Sequence, residues 1–426
     1  MSNLKIAVIG SGSTYTPELI EGFLKRAGSM DVDSLYLMDI DNEKNTIVSA
    51  LADRMVHEAD VDMRVVPTAC LEEAVEGADY VLGQVRVGGL ACRILDERIP
   101  LKYGFLGQET TGAGGMMKGL RTIPVILRVA EEMEKRAKKS AWFVNFSNPS
   151  GMVAQAALDR TGVRMTGLCN NAVNMLKEIR ERLPEGVDTF DYDFIGLNHL
   201  SWVTGVYIGG EDALPRWLAG PELAGQHEHF GGGEVLKTVG AFPCHYLNYY
   251  YNKSAALQKI MDAEKTRGEE CLEIEAELLE KYRDETLRIK PAELEKRGGA
   301  LYSEAAASLV DAIENDKRDI HVVNTVNRGA LPFMADDDVI EIKCEVGKNG
   351  PVPVPPKGEP NYHIAGLMQA VKMYERLAVE AAVTGCRDKA LAALMTHPLI
   401  LDFKKAQPML EEMLEANKAY LPAFFS

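Results

Sequence analysis

The hydrophobic positions in the first third of the chain change between two periods. The continuous apolar run Leu4–Ile9 predicts a buried strand, and Leu19, Ile20, Phe23 and Leu24 then recur at helical spacing. Further apolar runs of strand length occur at Leu35–Met38, Asp79–Val87 and Ala141–Phe146. Strands separated by amphipathic helices predict a parallel sheet with helices on both faces.

The pattern becomes less regular beyond about residue 200. Arg164–Leu168 and Phe194–Leu197 predict two further strands, and the Gly- and His-rich segment Gly209–Gly233 predicts a loop. The remaining predicted elements are helices at Lys259–Tyr282, Ala300–Glu314, His363–Leu394 and Asp402–Asn417, and strands within Val339–Val354.

These elements predict an α/β fold with two closely packed domains. Residues 1–165 would form a Rossmann-like, doubly wound parallel sheet, and residues 166–426 a second, α+β domain. Thr16 is expected to cap the helix after the first strand, because a proline and a glutamate follow it directly.

Composition limits the classes of function. The 426 residues carry a formal charge of −16, which argues against non-specific nucleic-acid binding because a phosphate backbone requires a cationic face. No run approaches eighteen consecutive apolar residues, and the N-terminus lacks a signal-peptide pattern, so we expect no membrane segment. The seven cysteines are scattered without a CxxC pair, which indicates a reducing compartment, and we expect a cytoplasmic protein.

The first predicted strand ends in a glycine-rich turn of the kind that binds dinucleotides. Gly10 and Gly12, followed by Ser13 and Thr14, allow a sharp turn and a close approach of backbone N–H groups to a pyrophosphate. Asp39, at the end of the second strand, is placed to accept a hydrogen bond from a ribose 2′-OH, which favours NAD over NADP. The third glycine of the usual fingerprint is absent, so a tight turn without a ligand is the alternative.

Two residues of metal-ligand type follow predicted strands. Cys169 and His199 each stand at a strand end, where ligand crevices form in α/β proteins. A thiolate and an imidazole suit a divalent transition metal, and two protein ligands would leave positions for substrate oxygens and water. By spacing alone, two unrelated residues are the more common explanation.

Tyr246 and Glu109 are candidates for acid–base chemistry. A tyrosine acts as a base only if positive charge or a metal lowers its pKa, and aromatic runs such as that around Tyr246 more often serve packing. Glu109 lies in the Gly-rich segment GQETTGAGG, where an acid is usually solvated. Arginines can clamp a phosphate bidentately, although a single arginine more often forms a surface ion pair. The arginines considered are Arg86, Arg93, Arg121, Arg267 and Arg297.

Nine segments, in order from residue 6 to residue 332, together resemble glycoside hydrolase family 4, the NAD- and metal-dependent glycosidases. They are IAVIGSGSTYTPEL, VRVGG, DERIPLKYGFLGQETTGAGG, LRTIPV, FVNFSNPSGMV, GLCNNAVNM, IGLNHLSW, RGGALYSEAA and VNRGALP. The resemblance implies that residues 1–165 bind NAD, and that residues 166–426 bind metal and substrate and support oligomerisation.

The resemblance also implies roles for individual residues. Cys169 and His199 match the ligands of a divalent metal, normally manganese, and Tyr246 matches a proton-abstracting base. Glu109 matches the acid that raises the basicity of this tyrosine. The implied substrate contacts are Arg93, Asn148, Arg267 and, from its Gly-rich setting, Arg297.

The residue after the metal cysteine distinguishes branches of this family. The resemblance implies that α-glycoside-specific members have an aspartate at this position, which serves as an acid. Here the residue is Asn170, as in the 6-phospho-β-glucosidase branch. The resemblance therefore implies a phosphorylated disaccharide or aryl β-glucoside as substrate, and a homodimer or homotetramer as assembly. The implied reaction is oxidation at C3 by NAD, removal of the C2 proton, elimination of the aglycone, addition of water and re-reduction.

Three alternatives stay open at this point. The first is a glycosidase of the same family that is α-specific or acts on unphosphorylated sugars. The second is an NAD-dependent hydroxy-acid dehydrogenase, which would produce stoichiometric NADH and release no aglycone. The third is a non-catalytic NAD-binding regulator, in which Cys169 and His199 would have no metal to bind.

Overall fold

A computed structural model of the protein describes residues 3–220, 233–297 and 302–426. Within these ranges, thirteen strands join in one mixed sheet. In chain order, β1 to β13 are Leu4–Ile9, Val32–Met38, Arg64–Thr68, Tyr80–Gly83, Trp142–Asn145, Arg164–Gly167, Asp191–Leu197, Leu200–Ile208, Glu211–Asp212, Phe242–Pro243, Asp319–Val326, Val339–Gly347 and Gly350–Pro353.

The first six strands form the parallel half of the sheet. Their order is β3-β2-β1-β4-β5-β6, and each neighbouring pair is parallel, as in a dinucleotide-binding fold. The other half continues from β6 as β11-β12-β7-β8-β10 with antiparallel pairs, while β9 pairs with β8 and β13 with β12. The predicted fold class, a Rossmann-like sheet followed by an α+β part, is confirmed.

Helices connect most of the strands. In chain order, α1 to α16 are Thr16–Leu24, Asn42–Glu58, Leu71–Val75, Gly89–Lys102, Gly112–Arg136, Ser150–Arg160, Asn170–Arg180, Leu214–Ala219, Gly233–Val239, Asn248–Tyr251, Lys253–Asp262, Arg267–Tyr282, Tyr302–Glu314, Tyr362–Thr384, Arg387–Thr396 and Phe403–Ala416. Short 3-10 helices span His245–Leu247, Ala292–Arg297, Lys418–Tyr420 and Pro422–Phe424. Among the helices of the described ranges, none combines the length and the apolar character that a bilayer crossing needs.

The long helix α5 organises the packing next to the sheet. It contacts α4, α6 and α14, and nearly all of its first half is buried. A Cβ at Gly115 would lie 2.6 Å from the carbonyl carbon of Thr110, so glycine is needed where the preceding loop folds back onto the helix. This close approach holds the segment that contains Glu109 against the first turns of α5.

One row of paired residues crosses the sheet at the carboxyl ends of the parallel strands. It runs through Thr68, Met38, Ile9, Gly83, Asn145, Gly167, Asn324, Glu341, Gly196 and Ser201. The carboxyl ends of strands line the crevice in which open α/β sheets bind ligands. The row therefore places the nucleotide-type turn after β1 and the polar strands of the antiparallel half along a single edge.

The strand predictions for the first third hold with changes of length. β1 has the predicted bounds, whereas Asp79–Val87 forms a strand only at Tyr80–Gly83. The strand stops because the Val85 N–H donates to the Ser147 hydroxyl, not to a neighbouring strand. β3 and β11 were not predicted, since β3 is partly exposed and contains a proline, and polar residues interrupt β11.

Two helix predictions are wrong. Tyr15, not Thr16, occupies the N-cap position of α1, and the Thr16 hydroxyl donates to the Ser11 carbonyl at 2.8 Å. Lys259–Tyr282 is not one helix, because α11 ends at Asp262 and α12 starts anew at Arg267, behind a capping box formed by Thr266 and Glu269.

The predicted loop Gly209–Gly233 is only partly correct. It contains the short strand β9 and the helix α8, and residues 221–232 lie outside the described residues. The helix predicted from Ala300 begins at Tyr302, and residues 298–301 are likewise outside the described ranges. The expected boundary between residues 165 and 166 falls within β6, and the division into domains 1–165 and 166–426 stays a prediction.

Candidate active site

Two residues predicted as metal ligands lie side by side at the edge of the sheet. Cys169 follows β6 and is the N-cap residue of α7, where its sulfur accepts a hydrogen bond from Asn171 N at 3.4 Å. His199 lies in the two-residue turn between β7 and β8 with a left-handed φ of 65°, which histidine tolerates better than most residues. The Cys169 sulfur is 3.4 Å from His199 Nε2.

The donor atoms of this pair fit a shared divalent metal. Metal–sulfur and metal–nitrogen bonds of about 2.3 and 2.1 Å, meeting at about 90–109°, would place the two atoms about 3.1–3.6 Å apart. Both side chains are buried, and His199 Nδ1 is a buried atom without a hydrogen-bond partner among the described residues. Within the same residues no cluster of three His, Cys, Asp or Glu side chains forms, so the remaining ligands would be water or substrate oxygens.

Burial sets the protonation of the pair in the absence of a cation. It raises the pKa of the Cys169 thiol, with a contribution from the nearby carboxylate of Glu341. Burial, together with the charge of Lys118, lowers the pKa of His199 to about 3, so the imidazole is a neutral ligand at physiological pH. A thiolate at Cys169 therefore requires positive charge in the site, which a bound metal supplies.

Tyr246 stacks on this pair. It belongs to the 3-10 helix His245–Leu247, and its ring centroid lies 4.0 Å from that of His199, with the ring planes inclined by 30°. Burial raises the pKa of Tyr246 above its ordinary value, and the negative charges of Cys169 and Glu109 add to the effect. The protein alone thus favours the phenol, and ionisation of Tyr246 depends on positive charge from a bound group.

Glu109 lies inside a buried cluster of cations and is not a solvated loop acid. Arg86 forms a short ion pair with it, Arg93 Nη1 lies 2.9 Å from Oε1, and Lys118 Nζ lies 2.8 Å from Oε2. Burial opposes ionisation, but Arg86, Lys118 and Arg93 together hold the pKa of Glu109 well below its usual range. Arg93 also pairs with Glu97 at 2.8 Å. Among these five side chains, the two arginines balance the two carboxylates, and Lys118 adds positive charge when it is protonated.

Lys118 was not predicted as a site residue. It lies on α5, is only 4% exposed, and its pKa is lowered to about 7 by burial and by Arg86, against the opposing effect of Glu109. In the sequence it stands among glycines and methionines, where a single lysine gives no sign that it faces inward. Its distance to Glu109 shows that it does.

The cofactor-type turn has the predicted geometry. Gly10 adopts φ +91°, and a Cβ there would lie 2.9 Å from the Gln84 carbonyl oxygen, so only glycine fits. Gly12 N donates to Asp39 Oδ2 at 2.8 Å, which joins the turn to the end of β2. The Thr14 hydroxyl is buried without a hydrogen-bond partner among the described residues. The unpartnered Thr14 hydroxyl next to the start of α1 suits a pyrophosphate, whereas Gly10 N and Ser11 N already donate to the Met38 carbonyl.

The remaining cofactor candidates have partners of their own. Asp39 accepts hydrogen bonds from Gly12 N and from Asp41 N, the latter at 2.9 Å, and burial raises its pKa. The Ser13 hydroxyl accepts from Tyr15 N at 3.3 Å. The ribose contact expected of Asp39 stays a prediction.

The predicted substrate contacts fall into different places. Arg93 is buried beside Glu109, and Asn148 follows β5 with a buried Oδ1 that has no hydrogen-bond partner in the described part of the chain. Arg267 turns towards the 3-10 helix that ends at Arg297, pairing with Glu270 at 2.8 Å and donating to the Lys296 carbonyl. The Arg297 guanidinium lies over the ring of Tyr15, 5.4 Å from its centroid, and so adjoins the cofactor turn.

Two further residues can be assigned. Asn170 is the first residue of α7 and is half-buried next to Cys169. Arg121 is not available to a phosphate, because it forms a buried ion pair with Asp96 at 2.6 Å and a hydrogen bond to Asn417 at 2.7 Å.

A group of buried polar side chains, which was also not predicted, lies next to Cys169 and His199. Asn324 Nδ2 donates to Glu341 Oε1 at 3.3 Å, and Asn198 Oδ1 accepts from Ser150 N at 2.9 Å. Burial raises the pKa of Glu341 to about 7, against the opposing effect of the hydrogen-bonding side chains around it. Because Asn198 is the residue before His199, this group adjoins the turn that carries the imidazole.

Comparison with known proteins identifies the family. A model of the family 4 glycosyl hydrolases matches residues 5–185, and a model of the C-terminal domain of the same family matches residues 194–400. The chain belongs to the family 4 glycosyl hydrolases. The resemblance of the nine sequence segments is confirmed.

Individual members of family 4 resemble this chain over nearly its whole length. A probable 6-phospho-beta-glucosidase of Bacillus subtilis is 44% identical, with 99% of this chain and 98% of the relative covered. The solved structure of the 6-phospho-beta-glucosidase from Thermotoga maritima with manganese, NAD+ and glucose-6-phosphate matches with a TM-score of 0.90 at 38% identity, covering 98% and 99% of the two chains. A phospho-alpha-glucosidase of Clostridium acetobutylicum is 29% identical, with 99% of each chain covered. Among these family 4 relatives, the β-specific ones are the more similar.

Proposed function

We propose that this family 4 glycosyl hydrolase cleaves 6-phospho-β-glucosides with the help of NAD and a divalent transition metal, manganese in the first place. The observation that carries the proposal is the contact of His199 with both Cys169 and Tyr246 at the carboxyl edge of the sheet. Similarity to 6-phospho-beta-glucosidases at 38–44% identity supports the substrate class.

The residues at the carboxyl edge of the sheet would have separate roles in binding the metal and the cofactor. Cys169 and His199 would hold the metal, and the turn of Gly10, Gly12, Ser13 and Thr14, with Asp39 beside it, would hold NAD. When bound, these two groups supply reversible oxidation at C3 of the sugar and polarisation of the resulting carbonyl. Both groups of residues follow strands at the carboxyl edge of the sheet, which suits a substrate that contacts the two bound groups.

Tyr246 would remove the C2 proton. A proton next to a ketone is a weak acid, so its removal needs a strong base. Burial and Glu109 raise the pKa of Tyr246, which makes its phenolate strongly basic once the positive charge of the site has ionised it. Departure of the aglycone from C1, addition of water and return to the C3 alcohol would complete the cycle without net oxidation.

The charged cluster would recognise the phosphate. Arg86 and Arg93 balance the carboxylates of Glu109 and Glu97, and Lys118, when protonated, adds a further positive charge. A phosphate dianion near these side chains would balance the excess through charge-assisted hydrogen bonds. This arrangement supports a phosphorylated glucoside over an unphosphorylated one.

Asn170 supports a β-linked substrate. It occupies the start of α7 directly after Cys169. At this position the family resemblance implies an aspartate in α-specific members. An amide cannot donate a proton as a carboxylic acid does, so the leaving group would be protonated by water or by another group.

A cleavage assay with a chromogenic aryl 6-phospho-β-glucoside tests the proposal. We expect release of the phenol only when NAD+ and Mn²⁺ are both present, with no accumulation of NADH. The matched 6-phospho-α-glucoside and the unphosphorylated β-glucoside should react far more slowly. Equal cleavage of the α-anomer would assign the α-specific alternative, and stoichiometric NADH without phenol would assign a dehydrogenase.

The assembly and the location of the protein are part of the same proposal. We infer a homodimer or homotetramer in the cytoplasm, where phosphorylated sugars occur. Light scattering of the purified protein would give the mass of the assembly, and a mass of one chain at working concentration would contradict the oligomer.

A further inference from the structure

Three side chains from distant parts of the sequence meet beneath the candidate site. The Thr111 hydroxyl lies 2.7 Å from the Tyr250 hydroxyl, and His397 Nε2 lies 3.2 Å from the first and 3.3 Å from the second. Thr111 and His397 are buried and Tyr250 is half-buried, so water competes little for these hydrogen bonds. The sequence motifs and the proposed chemistry leave all three without a role.

Each of these residues belongs to a segment next to a proposed functional group. Thr111 is the N-cap residue of α5, two positions after Glu109. Tyr250 lies in α10, one helical turn after Tyr246. His397 ends α15 and belongs to neither segment, so it joins both to the helical layer at the end of the chain.

Further contacts fix the histidine from its other sides. Leu399 N donates to Nδ1 at 3.2 Å, and the Tyr374 ring packs edge-on at a centroid distance of 4.4 Å. The Tyr374 hydroxyl in turn donates to the Gly112 carbonyl at 2.9 Å. Burial lowers the pKa of His397 to about 3, so the ring is neutral and acts through geometry, not through charge.

We propose that Thr111, Tyr250 and His397 form a positioning clamp that holds the Glu109 loop and the Tyr246 segment at a fixed distance from each other. None of the three would touch the substrate. The clamp matters because the stacking of Tyr246 on His199, and the distance of Tyr246 from the Glu109 loop, change with small displacements of either segment. The expected effect of the clamp on kcat rests on the proposed function, whereas the link between the two segments does not.

Removal of single hydroxyls tests the clamp. In the holoenzyme with NAD+ and Mn²⁺, Tyr250→Phe and Thr111→Val should each lower kcat by about 10- to 100-fold, the cost typical of a small misplacement of reacting groups. The KM for a 6-phospho-β-glucoside and the affinity for NAD+ should change less than about threefold, because neither hydroxyl belongs to those sites. The kinetic isotope effect for deuterium at C2 should increase, since proton removal becomes slower than the other steps.

Matched variants separate positioning from simple loss of stability. Thr111→Ser keeps a hydroxyl and should stay within about threefold of wild type in kcat. Tyr251→Phe removes the neighbouring hydroxyl, which bonds to Trp202 Nε1 at 3.0 Å and not to the clamp, and should be equally mild. A fall in kcat for Tyr251→Phe as large as for Tyr250→Phe would overturn the clamp.

A second measurement, hydrogen exchange, tests the link between the two segments without any substrate. Hydrogen exchange in the Tyr250→Phe variant should become faster both in residues 108–112 and in residues 245–251, although only the second segment is mutated. The clamp would be refuted if residues 108–112 of the Tyr250→Phe variant exchanged hydrogen at the wild-type rate. It would also be refuted if Tyr250→Phe and Thr111→Val both kept the wild-type kcat and the wild-type isotope effect at C2. An inactive wild type with coupled exchange would instead refute the proposed function and leave the clamp standing.

Discussion

The ring centroids of His199 and Tyr246 lie 4.0 Å apart, and the two ring planes are inclined by 30°. This contact ties a candidate metal ligand to the candidate base, so positive charge bound at His199 acts on Tyr246 at short range. Without such charge, burial keeps Tyr246 protonated. A metal bound at His199 would therefore favour ionisation of Tyr246 and removal of a substrate proton.

Tyr246→Phe should lose about 10²- to 10⁴-fold in kcat, the usual contribution of a general base. The affinities for NAD+ and Mn²⁺ should remain within about threefold of wild type, because the ring and its packing on His199 are preserved. Steady-state kinetics together with fluorescence titration of NAD+ provide the check. A comparable loss of NAD+ binding would show that the hydroxyl serves structure, not proton transfer.

Cys169→Ser should weaken metal binding, because a hydroxyl replaces the softer and more polarisable thiolate. We expect the Mn²⁺ concentration for half-maximal activity to rise by at least about tenfold, with kcat reduced even at saturation. Paramagnetic resonance of free Mn²⁺ measures the affinity directly. If this variant kept full activity in the presence of a chelator, the assignment of Cys169 as a metal ligand would be wrong.

Lys118→Gln should raise the KM for a phosphorylated substrate by about 10- to 100-fold, as expected for one hydrogen bond between charged groups. Glu109 should stay ionised, since Arg86 and Arg93 still contact it. Lys135→Gln, at the exposed end of the same helix, is the control and should leave KM unchanged. An unaltered KM in Lys118→Gln would remove this lysine from phosphate recognition.

Glu341 should make the stability of the metal-free protein depend on pH. Burial raises its pKa from the ordinary 4.5 to about 7, so between these values the folded protein binds more protons than the unfolded chain, and stability falls as pH rises. Glu341→Gln should abolish this decline, which amounts to about 3 kcal/mol at most. Urea unfolding at pH 5 and pH 8 measures it.

The exposed Glu345 on the same strand offers a matched control for this measurement. Glu345→Gln should keep the wild-type difference in unfolding free energy between pH 5 and pH 8. If Glu341→Gln also keeps it, the carboxylate is already ionised at pH 5 and the assigned shift in its pKa is wrong.

Local signals revealed about half of the candidate site. Gly10 and Asp39 were predictable because a turn and a strand end are encoded by neighbouring residues. Cys169 and His199 were predictable as strand-end residues, but their contact was not, because it depends on the pairing of β6 with the antiparallel half. The family resemblance supplied the roles that spacing alone left open.

The residues that escaped prediction owe their position to long-range packing. Lys118 has the same local context as any helical lysine, and only the fold of the preceding loop turns it towards Glu109. Thr111 and His397 are brought together across 286 positions of sequence. No periodicity of polar and apolar residues reports such a contact. The broken helix at Thr266 was missed for a different reason, since apolar spacing continues on both sides of its capping box.

The two halves of the sheet meet at a single paired position, Gly167 on β6 opposite Asn324 on β11. A side chain at Gly167 would collide with the Ser150 hydroxyl and approach the Asn324 Cβ to 3.1 Å. Within the sheet, the nucleotide-type half is thus joined to the half that carries the His199 hairpin through one narrow seam, beside the hydrogen bond from Ser150 N to Asn198 Oδ1. Chimeras that exchange one half between family members should fold and keep both sites aligned when glycine and asparagine are retained here, and substitutions at this seam should misalign the two sites while sparing each one separately.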